Sequence, residues 1–142
     1  MKHLLFGLLL LFCVSAKGIE VTHGPWICDM DSTGATIVWV TDKPGLSWVE
    51  IAPEGKDNFY GKVRPRYYDV LAGRKLLTDS VHRVRVTGLK PDSRYRYRVF
   101  TQQVDEWRYD DWVSLGKTAL TDVWKGKPYE FTTYPVKPRE IT

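Results

Sequence analysis

Cysteine is nearly missing from this chain. Among 142 residues there are two, Cys13 and Cys28. Cys13 lies in an apolar N-terminal stretch, so removal of that stretch leaves Cys28 alone. A lone thiol excludes an intrachain disulfide framework and a zinc site built on thiolates. It reads as a small apolar residue in or near a strand. Histidine is scarce too, with His3, His23 and His82 alone, which is thin for a metal centre. No Gly-rich phosphate cradle, nucleophile elbow or His-Glu-x-x-His pattern occurs. Lys and Arg are dispersed, and the formal charge is only +4. That mild excess favours solubility and gives no indication of nucleic acid as a partner. No stretch sustains helical periodicity, and no apolar run reaches the roughly 20 residues of a membrane-spanning helix.

What is there begins with a leader. Met1-Lys2-His3 precedes an apolar run from Leu4 to Val14, followed by Ser15-Ala16-Lys17-Gly18. A basic start, a short apolar centre and small residues at Val14 and Ala16 make the three-part layout of a secretory signal peptide, residues 1–16. The expected destination is the outside medium, the periplasm or the cell surface. Bulky Phe12 argues against a lipid anchor on Cys13.

The remainder consists of short alternating segments punctuated by Gly, Pro, Asp and Asn, the pattern of an all-β domain. Gly24 to Met30 is expected as a first edge strand, which tolerates Pro25. Ala35 to Thr41 alternates about Trp39, and Ser47 to Ala52 follows as a third strand. Pro53 to Arg66 is polar and reads as a loop. Tyr67 to Ala72 reads as a fourth strand ended by Gly73. Val81 to Val86 alternates strictly, with His82, Val84 and Val86 on one face. After a corner at Leu89-Lys90-Pro91, residues Tyr95, Tyr97 and Val99 alternate with Arg94, Arg96 and Arg98. Trp107 to Gly126 is the least readable stretch. Tyr129 to Thr133 is a last strand, and the tail from Pro135 to Thr142 reads as a semi-stiff linker. Stability must come from packing, and a domain over residues 19–134 is long enough to bury a sufficient core.

About seven short strands, with one Trp early and a Tyr late, suggest a fibronectin type III or immunoglobulin-like β-sandwich. Leu89-x-Pro91 followed by Tyr95-x-Tyr97-x-Val99 resembles the E–F corner of fibronectin type III domains. In those domains the Tyr at the Tyr95 position closes the corner through its hydroxyl. Trp39 stands where they carry a core Trp. A narrower resemblance covers nearly the whole mature chain. Gly24-Pro25-Trp26, Ala35-Thr36-Ile37-Val38-Trp39, Ser47-Trp48-Val49-Glu50, His82 to Pro91, Tyr95-x-Tyr97 and Lys127 to Thr133 occur in the order found in the N-terminal domain of purple acid phosphatases. This resemblance implies a C-terminal metallophosphoesterase domain as intramolecular partner, which carries a two-metal centre that activates water against phosphate esters. The present chain would supply neither catalytic residues nor metal ligands, and would need no cofactor of its own.

His82, on the apolar face of its strand, is expected as a hydrogen-bonded core histidine. Arg83 and Arg85 would lie on one sheet and Arg94, Arg96 and Arg98 on the other, so they would not merge into a nucleic-acid groove. They read as solvated strand faces, with a grip on an anionic glycan or a partner domain as the functional alternative. The principal candidate surface is the aromatic group Trp107, Tyr109, Trp112 and Trp124. Three roles stand open for it: a satellite core, docking to the partner domain, or stacking on sugars. Two functions follow, a positioning module of an exported phosphatase or a stand-alone module binding carbohydrate or protein.

Overall fold

Period-two alternation with one apolar side demands two sheets facing each other, because each sheet must cover its apolar face. The computed structural model describes residues 18–55, 59, 62–107, 113–121 and 129–137. Among these described residues eleven strands occur in this order: β1 Val21–Cys28, β2 Ala35–Thr41, β3 Gly45–Pro53, β4 Arg66–Tyr68, β5 Val70–Leu71, β6 Arg74–Lys75, β7 Leu77–Thr78, β8 Val81–Val86, β9 Arg94–Trp107, β10 Val113–Leu120 and β11 Tyr129–Thr132. The smaller sheet has the order β1-β2-β8. The larger has β10-β9-β3-β4, with β11 also on β9 and β7 on β3. Every pairing is antiparallel.

The core is the meeting of the two inner faces. Ala35, Ile37 and Trp39 of β2 and Val84 and Val86 of β8 pack against Val49 and Ile51 of β3, Tyr97 and Val99 of β9, and Phe131 of β11. Register explains the selection. Ile37 faces Val84 across one sheet, and Val49 faces Val99 across the other, so matched apolar pairs stack towards one interior. Trp39 is fully buried, and its indole N–H donates to Thr101 Oγ1 at 2.8 Å. Ser47 Oγ lies 2.9 Å from the same hydroxyl. A buried indole needs such a partner.

Several boundaries differ from the sequence reading. The first strand begins at Val21, not Gly24. The segment read as one fourth strand is broken after Tyr68. Val70–Leu71 instead forms a small hairpin with Arg74–Lys75. Its turn residues, Ala72 and Gly73, both have positive φ (50° and 76°), as a tight primed turn requires. The polar stretch after Pro53 is not entirely solvated either. Phe59 is buried, with the Arg98 guanidinium 4.7 Å from its ring centre. The tail is tied down at its start, where the Tyr134 N–H donates to the Asp31 carbonyl at 3.1 Å.

The largest difference lies in the stretch that read as irregular. Val113 to Leu120 is a strand, hairpinned onto the second half of β9. Its alternation is obscured by register shifts on either side of Leu115. At Gly116 the Asp105 carboxylate occupies the space a side chain would need. β10 and β11 then follow one another along the same edge of β9. That strand steps from Val99 to Tyr97 while its partner steps from Thr121 to Tyr129.

Candidate functional site

The corner between β8 and β9 is the first place where sequence motifs become geometry. Leu89 is buried, and its N–H donates to the Thr33 carbonyl at 2.9 Å. Pro91 is exposed on the turn. The Lys90 N–H donates to the Tyr95 hydroxyl at 2.8 Å, closing a tyrosine corner. Tyr97 and Val99 continue inward from Tyr95. Burial raises the Tyr97 phenol to about 12, with the nearby Tyr129 adding to the effect.

His82 is fully buried, its ring centre 5.5 Å from that of Trp39. Its Nε2 lies 2.6 Å from Thr41 Oγ1, and its Nδ1 lies 2.6 Å from Thr78 Oγ1. Thr41 spends its single hydroxyl hydrogen on the Lys43 carbonyl at 2.7 Å. Nε2 must therefore donate to Thr41, and Nδ1 accepts from Thr78. This assigns a neutral imidazole with the proton on Nε2. Burial depresses the pKa to about 4, against a smaller opposing effect of Asp79. The histidine is a structural pin between strands, sealed from any substrate.

The two arginine sets do occupy different sheets. On the larger sheet, Glu50 is buried and accepts from Arg98 Nε and Nη2 at 2.9 and 2.7 Å, with Arg66 Nε 3.4 Å away. Arg94 pairs with Glu54 at 3.2 Å, and Arg96 approaches Glu130 at 3.6 Å. Trp48 stacks on Phe100 with ring centres 5.1 Å apart, while Arg66 covers the Trp48 ring at 5.3 Å. Most of this outer face is engaged by its own charges and rings, although the buried Trp48 Nε1 and Arg96 Nε have no hydrogen-bond partner there.

On the smaller sheet, Arg85 is also engaged. It donates to the Asp29 carbonyl at 2.6 Å and to Asp31 Oδ2 at 2.5 Å. The Asp31 carboxyl is held below its usual range, first by the Thr33 backbone N–H and then by Arg85. Beside Arg85, a pocket of about 190 Å3 is lined by Thr36, Tyr68, Asp69, Val70, Arg83 and Arg85. Burial raises the Asp69 carboxyl, opposed by the Arg83 backbone N–H that donates to it and by the Arg83 charge. The pocket was not foreseen in the sequence. Its residues come from β2, β8 and the broken strand after Tyr67, which only the tertiary fold brings together.

Of the aromatic candidates, Trp107 ends β9 and is 61% exposed. Tyr109, Trp112 and Trp124 lie outside the described residues, as do the leader at 1–16 and the end of the linker. Trp26 is a second exposed indole, at 49%. It could have been found from the sequence, since an inward Ile27 forces Trp26 to the opposite face of the strand. Among the described residues, no group of three or more His, Cys, Asp or Glu side chains converges to hold a metal ion. No helix among them is long and apolar enough to cross a membrane.

Two antiparallel sheets around one core, pinned by a buried Trp and a tyrosine corner, define a β-sandwich of the fibronectin type III, immunoglobulin-like class. Within that class the family is specific. Residues 26–133 match the family model described as the purple acid phosphatase N-terminal domain, and the chain belongs to that family. A comparison with individually curated proteins gives no match.

Proposed function

We propose that this chain is the non-catalytic front module of an exported, metal-dependent phosphatase, holding a following catalytic domain in place. Membership of the purple acid phosphatase N-terminal family carries this reading. In it the leader, residues 1–16, directs export and is removed, and hydrolysis of phosphate esters belongs wholly to the following domain and its two metals.

The exit of the last strand suits a positioning role. Thr133 N–H donates to the Ser93 carbonyl at 3.0 Å, and its hydroxyl donates to the Lys90 carbonyl at 2.6 Å. The Ser93 N–H in turn donates to the Thr133 hydroxyl at 3.0 Å. The Asp92 N–H donates to the Tyr134 carbonyl at 3.2 Å. A chain leaving through such a clasp transmits the orientation of the sandwich to whatever follows, which a loose linker would not do. Exposed Trp107 is the described member of the docking surface in this reading.

The test is to read the transcript beyond codon 142. An in-frame metallophosphoesterase domain supports the proposal. A stop codon there overturns it and leaves a stand-alone binding module.

A further inference from the structure

The outer face of the smaller sheet carries a row of side chains that the positioning role does not use. Trp26 lies opposite Val38, and Val38 lies opposite Arg83. The adjacent row is Cys28, Thr36 and Arg85. Residues directly opposite in antiparallel strands point to the same side. Strands are about 4.8 Å apart, which places Trp26 and Arg83 on the order of 10 Å from each other. The pocket between Arg83, Arg85, Thr36, Tyr68, Asp69 and Val70 opens at one end of this row. Trp26 stands at the other end.

The Trp26 ring lies close over Gly24. A side chain on Gly24 would come within 3.1 Å of its Cε3 and within 3.0 Å of the Val38 carbonyl. The absence of that side chain lets the indole lie back over its own strand. An exposed indole is a platform that presents an apolar face to a ligand.

The pocket's chemistry selects the ligand. Asp69 supplies a carboxylate acceptor and Arg83 guanidinium donors, while Arg85, engaged with Asp29, Asp31 and the Thr36 hydroxyl, forms the polar wall. Neighbouring hydroxyls of a sugar ring can donate to the carboxylate while accepting from a guanidinium. The two arginine charges are offset by Asp69 and Asp31, so there is no net positive field to favour a polyanion. A pocket of about 190 Å3 is small against the roughly 300–1,000 Å3 of drug-sized sites, and suits one ring-sized polar group. We infer that the outer face of β1, β2 and β8 binds a neutral oligosaccharide, one sugar unit in the Arg83–Asp69 pocket and a second stacked on Trp26. This inference does not rest on the positioning role, and its site is separate from Trp107.

The experiment titrates the full chain by calorimetry with mannotetraose, chitotetraose and cellotetraose. A heparin-derived tetrasaccharide serves as the anionic comparison. The expected result is binding of at least one neutral probe, weakened about tenfold or more by Trp26→Ala and equally by Asp69→Asn, with Trp107→Ala unchanged. Asp69→Asn keeps an acceptor for the Arg83 N–H, and unchanged melting temperatures establish that both variants fold. Three results would each overturn the inference: no heat with any neutral probe up to about 10 mM, binding of the heparin fragment alone, or neutral binding indifferent to either substitution.

Discussion

The hydroxyl of Tyr95 accepts the Lys90 backbone N–H at 2.8 Å, five residues back along the chain. The bond closes the crossing from β8 in one sheet to β9 in the other. It also lies against the clasp at the domain's exit, since the Lys90 carbonyl accepts the Thr133 hydroxyl at 2.6 Å. One residue therefore links the corner to the way out of the sandwich.

Tyr95→Phe removes the acceptor while keeping the ring packed against Phe131, whose centre is 5.9 Å away. Lys90 is exposed, so its N–H regains water and the loss is about 1 kcal/mol. Chemical denaturation should show a lower midpoint with an unchanged slope.

His82 makes stability pH-dependent. Its folded pKa, about 4, lies below the ordinary 6.5. Between these values the unfolded chain binds more protons than the folded one, so stability rises with pH in that window. The contribution is complete above about 6.5 and is lost as pH falls towards the folded value, by up to about 3 kcal/mol. Urea midpoints from pH 7 to pH 4 test this. His82→Gln should be less stable at pH 7 and should show a shallower pH dependence over the same range.

Glu50→Ala leaves the Arg98 guanidinium, whose side chain is 14% exposed, without its carboxylate. Breaking a buried pair on one side costs about 3 kcal/mol. The expected outcome is a clear drop in thermal midpoint. Arg94→Ala, whose pair with Glu54 is exposed on both sides, should change stability by less than about 1 kcal/mol.

Gly45 admits no side chain. A Cβ there would drive into the Gln102 carbonyl and the Thr101 methyl group, because β3 and β9 pair directly at that point. Gly45→Ala should destabilise by about 2 kcal/mol through overpacking. Gly73→Asn, in a turn open to solvent with φ of 76°, should be nearly neutral.

Where one rule governs, the sequence is readable. Val81 to Val86 alternates exposed and buried without exception, because β8 has water on one side and core on the other. In β9 the alternation is softer: Tyr97 and Val99 are buried and Arg94 is exposed, while Tyr95, Arg96 and Arg98 are half-buried. β10 was not readable, since the bulge around Gly116 breaks the period on which alternation depends. The segment after Tyr67 read as one strand because its residue types allow it. Asp69 ends that run, turning to accept the Arg83 N–H on the edge of β8, a partner distant in sequence.

The candidate surfaces divide in the same way. Trp107 was singled out from composition, and the structure leaves it exposed at the end of β9. Trp26 carries no comparable compositional signal, although its outward register is implicit beside Ile27. The pocket at Arg83 had no signal at all, for it is assembled from three separate segments.

By itself the sequence determined the all-β class, the inward set around Trp39, the corner at Tyr95 and the family, because each depends on local period or on short motifs. Tertiary structure decided the tautomer of His82, the burial of Glu50 between two arginines, the placement of β10 and β11 on one edge of β9, and the pocket beside Arg83. Those features depend on which distant segments meet, and long-range register is set by the packing of two whole sheets rather than by any window of residues.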